Sequence, residues 1–398
     1  MSLAGRGGDG QRPDDLFIIG DAVGNDDRRP VGLTGHARTH PERAGPRRRS
    51  TTDRPRSTMQ QYLDLVDETL SEGVYKPNRT GVDTIASFSG QYTVDLAEGF
   101  PLLTTKRLDG YRWNSLIHEV LWYLSGEEHV RNLRDHTAIW DAWADEEGRL
   151  DTAYGRFWRR YPVPEGGLEG ESWPADAHRW VTVEEDADGT RRRTFDQIQY
   201  VLDQLAENPR SRRMVVNAWH PANAAVSTLP PCHYTFVVNV QGGRLNLHLT
   251  QRSGDIALGV PFNIAAYSLL ATAIAQRTGF EVGEFGHSIV DAHVYCGEGD
   301  RGAWYADNLD RLQDRLADVE TTADYRDVKA WLERAAPDEP ADREGYDHVP
   351  GLLEQLSREP RSRPRIEIAD KPLDELTFDD IELHDYDSAD GITFAVAE

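Results

Sequence analysis

The chain has 398 residues, 38% of them hydrophobic, and carries a formal net charge of −24. That length can bury a sizeable core, whereas the lack of an apolar run of about 18 residues and of an apolar leader excludes a membrane span and a secretory signal. The negative charge argues against a general nucleic-acid coat, because a polyanion would be repelled over most of the surface. We therefore expect a cytoplasmic protein with neither a membrane nor an obligatory nucleic-acid partner.

The two cysteines, Cys232 and Cys296, are far apart in the sequence. They form neither a disulfide framework nor the closely spaced ligands of a metal site. Any cysteine chemistry must therefore depend on a single thiol.

The cations are almost all arginine, since four lysines stand beside forty arginines and 68 acidic residues. This composition is typical of proteins from salt-loaded organisms and predicts a halophilic archaeal source. Molar salt shortens the Debye length to about 3 Å and relieves the self-repulsion of an acidic surface. A solvated acidic surface without adaptive meaning is the alternative.

Residues 1–58 differ from the rest of the chain. Their net charge is about +3, whereas the other 340 residues carry about −27. The stretch is rich in Gly, Pro and Arg and lacks apolar periodicity, which predicts a disordered extension. The run "PRRRSTTDRPR" is typical of a nucleic-acid patch, but a translation start at Met59 is the favoured alternative, because amphipathic patterns begin there.

From Met59 onward the patterns predict a single folded domain over 59–398. The stretches "MQQYLDLVDETLSEG" and "NSLIHEVLWYLSG" predict helices that end at Gly73 and Gly126. The runs "RRMVVNAWH", "HYTFVVNV" and "RLNLHLTQRS" predict strands of one sheet, and "NIAAYSLLATAIAQRTG" predicts an apolar helix. Charged, irregular stretches at about 163–193 and 297–347 predict surface insertions.

Cys232 lies at the start of a predicted strand, in "LPPCHYTF". A thiol attacks only as its thiolate, so a catalytic cysteine needs a cation or hydrogen-bond donors beside it. Arg252, on the next predicted strand, is a candidate cation. Taken alone, a structural cysteine is the stronger alternative, and His233 is more often a satisfied polar side chain than a base.

Four arginines lie at element ends or turns, namely Arg79, Arg212, Arg213 and Arg252. Arginine suits bidentate binding of phosphate. In a chain with forty arginines each one taken singly is a surface residue, so only their joint occurrence favours a phosphate site.

Other residues suit a planar, ionisable ligand. Glu119, on an apolar helix face, can have a raised pKa and act as general acid and base, with an arginine pair as the alternative. Asn263 can cap a helix or present a donor and an acceptor to a base edge. Trp140 and Trp143 are either core aromatics or the walls of a flat site.

Together these motifs resemble the thymidylate synthase family. The resemblance rests, in chain order, on "NRTG", "FPLLTTKR", "LIHEVLWYLSG", "IWDAWAD", "YGRFWR", "SRRMVVNAW", "PPCH", "QRSGDIALGVPFNIAAY" and "DAHVY". It implies an α+β fold with a large bent mixed sheet and flanking helices. It also implies a homodimer in which two such sheets pack back to back.

The resemblance implies reductive methylation of dUMP to dTMP. The donor of the one-carbon unit and the hydride would be 5,10-methylenetetrahydrofolate, leaving dihydrofolate, and no metal would be needed. Cys232 would add to C6 of the uracil, Glu119 would relay protons, and Asn263 would read the base.

The implied sites comprise three sets of residues. The catalytic set is Cys232, Glu119, Asn263, Tyr154 and Arg252. The dUMP set is Arg79, Gln251, Arg252, Ser253, Asp255, Asn263, His293 and Tyr295, with Arg212 and Arg213 reaching in from the neighbouring subunit. The folate set is Lys106, placed for a polyglutamate tail, with Ile139, Trp140, Trp143, Asp255, Leu258, Phe262 and Ala397.

The chain departs from the family pattern in two main places. It ends in "FAVAE", with a charge on the segment that closes the site. After Tyr295 the usual polar pair and histidine are replaced by "CGEGD" and the second insertion. Two alternatives remain, a pyrimidine nucleotide hydroxymethylase on the same scaffold and a non-catalytic nucleotide- or RNA-binding protein.

Overall fold

The structure, a computed structural model, describes residues 58–78, 81–150, 153–163, 179–185, 189, 191–227 and 229–396. Residues 1–57, nearly all of the predicted extension, lie outside these ranges, as do the predicted site residues Arg79 and Ala397. The described residues belong to one compact unit. None of their helices is long and apolar enough to cross a membrane.

Helices and strands are interspersed along the described chain. The helices are α1 Gln60–Glu72, α2 Tyr111–Ser125, α3 Tyr154–Arg159, α4 Gln197–Glu207, α5 Pro221–Val226, α6 Gly259–Thr278, α7 Gly299–Ala317, α8 Asp324–Ala335 and α9 Val349–Leu356. The strands are β1 Val74–Lys76, β2 Val82–Asp95, β3 Tyr161–Pro162, β4 Val181–Glu185, β5 Arg191–Phe195, β6 Val215–Asn217, β7 Thr235–Gln241, β8 Arg244–Gln251, β9 Gly254–Asp255, β10 Glu281–Glu298, β11 Arg365–Ile368 and β12 Ile381–His384.

A large mixed sheet occupies the centre, as predicted. Its strand order is β1-β2-β10-β8-β7-β6, with β9 also paired to β10. The long strand β10 runs antiparallel to β2 and parallel to β8. Along β8, Leu245, Leu247, Leu249 and Gln251 are buried and alternate with more exposed residues. Because side chains of a strand alternate between faces, Gln251 lies on the core side of the sheet.

The predicted helices α1 and α2 are confirmed. Tyr62, Val66 and Leu70 form a fully buried stripe on α1, and each such side chain contributes roughly 1.5–3 kcal/mol by leaving water. Helix α2 ends where Gly126 takes a φ of +75°. A Cβ at that position would lie 2.8 Å from the Cβ of Arg159, so only glycine fits this helix end.

Helix α6 begins at Gly259, earlier than the predicted start at Asn263. Asn263 therefore lies inside the helix, and the N-cap alternative is wrong. The helix is buried on nearly all sides between Val260 and Ala275, which explains why its sequence shows no amphipathic stripe. It packs against β8 and β10 and brings Asn263 to the ends of these strands.

The segment 297–347 leaves β10 and returns beside it. Asp347 forms an isolated bridge with Cys296, and the amide of His348 donates to the carbonyl of Tyr295 at 2.9 Å. The segment is not confined to the surface, because Tyr305 and Leu312 of α7 are fully buried. Of the other predicted insertion, β4 and β5 are described and form an antiparallel pair.

Candidate active site

An open cavity of about 540 Å³ lies where the ends of β7, β8 and β10 meet the start of α6. Most of the predicted site residues line it, namely Glu119, Ile139, Trp140, Trp143, Tyr154, Cys232, Gln251, Arg252, Ser253, Asp255, Leu258, Phe262, Asn263, His293 and Tyr295. The fold therefore gathers residues that are up to 176 positions apart in the chain, from Glu119 to Tyr295.

Cys232 lies half-buried in the cavity wall, just before β7. The Nη2 of Arg252 donates toward its Sγ at 3.4 Å, as the adjacent strands predicted. The same guanidinium donates to the carbonyls of Pro230 at 2.6 Å and Pro231 at 3.0 Å. Burial raises the pKa of the Cys232 thiol, and the charge of Arg252 opposes that rise. Arg252 therefore both shapes the Pro-Pro turn and favours the thiolate.

Two aromatic side chains support the cysteine from behind. The hydroxyl of Tyr154 accepts a hydrogen bond from the amide of Cys232 at 2.8 Å. His233 stacks on the Tyr154 ring with centroids 3.8 Å apart, and its Nδ1 contacts the hydroxyl of Tyr267 at 2.7 Å. Burial lowers the pKa of His233 to about 3. His233 is therefore a neutral support and not a general base near pH 7.

Glu119 has no arginine partner among the described residues. Its Oε1 accepts from the hydroxyl of Tyr123 at 2.8 Å and from the Nε1 of Trp140 at 2.7 Å. Burial raises the pKa of Glu119 to about 7, although both hydrogen bonds lower it. Because both protonation states are then populated near neutral pH, the carboxyl is suited to donate and to accept a proton.

Asn263 faces the cavity from α6. Its Nδ2 donates to the Oε1 of Gln251 at 3.1 Å. No described residue contacts its Oδ1 within hydrogen-bond distance. The amide therefore offers an acceptor and a second N–H to a ligand in the cavity.

Several polar side chains line a further part of the cavity wall. The Oγ of Ser253 lies 3.4 Å from the Nδ1 of His293, and the ring of Tyr295 meets His293 edge to face. The Oδ1 of Asp255 accepts from the amides of Ala257 and Leu258. Burial alone would raise the pKa of Asp255, but His348, His293 and the Ala257 amide hold it below its ordinary value. Asp255 is therefore an anionic acceptor in this wall.

Comparison with known proteins agrees with this geometry. The sequence profile described as "Thymidylate synthase" matches residues 60–398. A protein named thymidylate synthase from Haloferax volcanii is 68% identical over 349 residues, which are 88% of this chain and all of that protein. The chain belongs to the thymidylate synthase family. That relative comes from a halophilic archaeon, in agreement with the acidic, arginine-rich composition.

As a thymidylate synthase, the protein is a methyltransferase that converts dUMP to dTMP with 5,10-methylenetetrahydrofolate as co-substrate. Aromatic and apolar side chains form part of the cavity wall. Trp140 and Trp143 meet edge to face with centroids 5.6 Å apart, and Leu258 and Phe262 add apolar surface. Within the described ranges, no group of three His, Cys, Asp or Glu is arranged to hold a metal ion.

Three predicted residues of this thymidylate synthase lie away from the cavity. Lys106 is buried, and its ammonium donates to the carbonyl of Ala257 at 2.5 Å and lies 5.0 Å from the centre of the Phe394 ring. The Lys106 side chain therefore does not extend toward a polyglutamate tail as predicted, because its amino group is bonded inside the fold, where burial lowers its pKa to about 7. Arg212 and Arg213 are exposed before β6 and do not line the cavity of their own chain.

The sequence analysis missed two charged residues that line the cavity. Lys76 and Asp291 line the cavity and form an ion pair at 2.7 Å. The only sequence signal that Lys76 lies in the cavity is its position close before the "NRTG" motif. A histidine nevertheless lies beside Tyr295, because His348 packs edge to face on its ring with centroids 5.4 Å apart. The intervening segment hid this neighbour from the linear sequence.

Proposed function

We propose that Cys232 is the nucleophile of the methylation of dUMP and that Arg252, Glu119 and Asn263 act with it on the uracil ring. The single observation that carries this proposal is the 3.4 Å contact between the guanidinium of Arg252 and the Sγ of Cys232 in the wall of the cavity. A neighbouring guanidinium favours the thiolate that burial would otherwise disfavour.

Addition of the thiolate forms a bond from sulfur to C6 of the uracil. The electron pair of the C5–C6 double bond then moves toward C5 and O4, and C5 becomes nucleophilic. Glu119, with a pKa of about 7, donates protons to this end of the ring and accepts protons from it. Methylenetetrahydrofolate supplies the one-carbon unit and the hydride when it is bound. Removal of the C5 proton would break the bond between the one-carbon unit and the folate amine and leave a methylene group on C5. Addition of the hydride to this methylene would form the methyl group, restore the C5–C6 double bond and expel the Cys232 thiolate.

Asn263 is the proposed reader of the base. Uracil presents an N–H at N3 and an acceptor at O4, which match the free Oδ1 and the second Nδ2–H of this amide. Cytosine presents the opposite pattern at both positions. The phosphate of dUMP would lie near Ser253 and the guanidinium of Arg252, together with Arg79, which is outside the described residues.

The proposed active unit is a homodimer with the two sheets back to back. Large apolar side chains are exposed on strands of the central sheet, namely Val74, Phe88, Val215 and Val290. Phe88 is 87% exposed, and a second copy of the sheet would remove this apolar surface from water. Arg212 and Arg213 are exposed just before β6 of the same sheet, which suits a role in the partner's phosphate site. Two unpaired cysteines also support a reducing, cytoplasmic location.

The central test is an assay of dUMP with methylenetetrahydrofolate across a salt series. We expect dTMP and dihydrofolate in equal amounts, and loss of turnover with retained dUMP binding in Cys232→Ala. Cys296→Ala is the matched control, because Cys296 is buried outside the cavity. Hydroxymethyl product without dihydrofolate would indicate the hydroxymethylase instead, and unchanged turnover in Cys232→Ala would refute the nucleophile.

A further inference from the structure

A buried chain of hydrogen bonds leads away from Asn263 into the sheet. Asn263 donates to the Oε1 of Gln251 at 3.1 Å, and the Nε2 of His287 lies 2.5 Å from the same oxygen. The Nδ1 of His287 lies 2.6 Å from the hydroxyl of Tyr92. His287 is completely buried and Gln251 is 1% exposed, so bulk water does not compete for these bonds.

The secondary structure explains why these side chains meet. His287 and Tyr92 are direct cross-strand partners of β10 and β2. Gln251 ends β8 and pairs with Ile289, two residues beyond His287 on β10. All three therefore project from neighbouring strands toward α6, which carries Asn263.

The donors and acceptors in this series of hydrogen bonds are fixed, because Gln251 is also bonded to a backbone carbonyl. The Nε2 of Gln251 donates to the carbonyl of Ser253 at 3.3 Å, and a carbonyl can only accept. The Oε1 of Gln251 must then face both Asn263 and His287, and each of these must donate. His287 therefore carries its proton on Nε2.

The same logic extends to Tyr92. Burial lowers the pKa of His287 to about 3, so the ring is neutral and its Nδ1 has a lone pair. The hydroxyl of Tyr92 is then the donor. If the amide of Asn263 were reversed, its oxygen would face the oxygen of Gln251, and two acceptors would oppose each other without a proton.

We propose that His287 and Tyr92, which do not line the cavity, are positioning residues that hold Asn263 in the orientation that accepts uracil and rejects cytosine. The inference rests on the proposed role of Asn263 in reading the base. In the reversed orientation Asn263 would present an N–H where its Oδ1 now lies and an oxygen lone pair where its second N–H now lies, which suits the N3 acceptor and the 4-amino group of cytosine. In this way His287 and Tyr92, acting through Gln251, set the base preference of Asn263 without contacting the base.

The test compares His287→Leu with His287→Gln. A glutamine places an N–H near the position of Nε2, whereas leucine fills similar space without a donor. In the full-length enzyme, we expect His287→Leu to raise the KM for dUMP about tenfold, with a smaller change in kcat. We also expect the ratio of the binding affinities for dUMP and dCMP to fall about tenfold. His287→Gln should stay within about threefold of the wild type.

Tyr92→Phe provides a second variant that removes one hydroxyl and keeps the ring. We expect it to narrow the preference for dUMP over dCMP less than His287→Leu does, because His287 still donates from Nε2. Tyr305→Phe is its matched control, since the Tyr305 hydroxyl is also buried and bonded, to Asp347 at 2.8 Å, but lies outside the cavity lining. The control should leave the base preference unchanged.

Three outcomes separate this inference from the proposed reading of the base. If Asn263→Asp leaves the dUMP preference unchanged, the role of Asn263 itself is wrong. If Asn263→Asp changes the preference while His287→Leu and Tyr92→Phe do not, only the positioning chain is wrong. Equal impairment of His287→Gln and His287→Leu would show that His287 has only a packing role.

Discussion

The backbone amide of Arg252 donates to the carbonyl of Cys232 at 2.9 Å, while its guanidinium reaches the sulfur of the same residue at 3.4 Å. One arginine therefore fixes both the chain and the side chain of the cysteine. Because the guanidinium also holds the carbonyls of Pro230 and Pro231, its position does not depend on a bound phosphate.

Arg252→Lys should weaken the nucleophile. Lysine carries the charge on one nitrogen and cannot reach two carbonyls and the sulfur together. Because Arg252 opposes the raised pKa of Cys232, we expect the pKa of the thiol to rise further and kcat to fall about 10²-fold or more. The pH profile of alkylation by iodoacetamide measures the thiol directly, since Cys296 is fully buried. An unchanged profile would contradict this account.

Glu119 should give the enzyme a titration near neutral pH. Its pKa is raised to about 7 by burial, so the pH profile of kcat should contain a step near this value that Glu119→Gln lacks. Trp140→Phe removes a hydrogen bond that favours the carboxylate, and the step should move to higher pH. A step that persists in Glu119→Gln would assign it to another group.

The same carboxyl should affect folding stability. Because the folded pKa of Glu119 is about 7 and its ordinary value is 4.5, the folded state binds more protons than the unfolded state between these values. Its contribution to stability is therefore greatest below pH 4.5 and is lost as the pH rises toward 7. Urea unfolding of Glu119→Gln should lack this decline, and an identical pH dependence in both proteins would contradict the raised pKa.

Arg212 and Arg213 should act across the dimer. We expect the double variant Arg212→Ala/Arg213→Ala to raise the KM for dUMP at least tenfold, because phosphate contacts of arginine are charge-assisted. Mixing it with inactive Cys232→Ala should restore activity, since each mixed dimer contains one complete site. A mixture that stays as impaired as its components, after subunit exchange is verified, would show that the two arginines do not serve the partner.

His348 should tie the end of the chain to the cavity. Its Nε2 lies 2.9 Å from the carbonyl of Ala395, and its Nδ1 lies 3.7 Å from the carboxylate of Asp255. His348→Phe keeps the aromatic contacts with Tyr295 and Phe394 but removes both polar ones. We expect a several-fold higher KM for methylenetetrahydrofolate and a smaller change for dUMP. Equal effects on both substrates would indicate general disruption.

The segment 297–347 should depend on a buried ion pair. Arg301 and Asp347 lie 2.6 Å apart with side chains 7% and 1% exposed. Arg301→Met leaves a buried carboxylate without its cation and should lower the free energy of unfolding by about 3–5 kcal/mol. Arg301→Met/Asp347→Asn should recover part of this loss in urea unfolding. A single variant as stable as the wild type would show that the pair is not needed.

Local periodicity was sufficient for α1, α2 and the strands β7 and β8, because the buried face of each element repeats within a few residues. It also predicted that Arg252 would lie beside Cys232, since sequential antiparallel strands are neighbours. It was insufficient for the start of α6, because Gly259 to Phe262 carry no capping signal and burial by the sheet extends the helix to that point.

The amino-acid sequence by itself determined the family and named the candidate residues for the chemistry, through motifs whose residue types suit a thiol nucleophile, a base reader and a phosphate. Only the tertiary structure decided their states. Glu119 is bonded to Tyr123 and Trp140 and not to an arginine, Lys106 is buried, and His348 lies beside Tyr295 across a long inserted segment. The reason is physical: hydrogen-bond partners and desolvation depend on side chains that are distant in sequence and meet only when β2, β10 and β8 pair and α6 packs upon them.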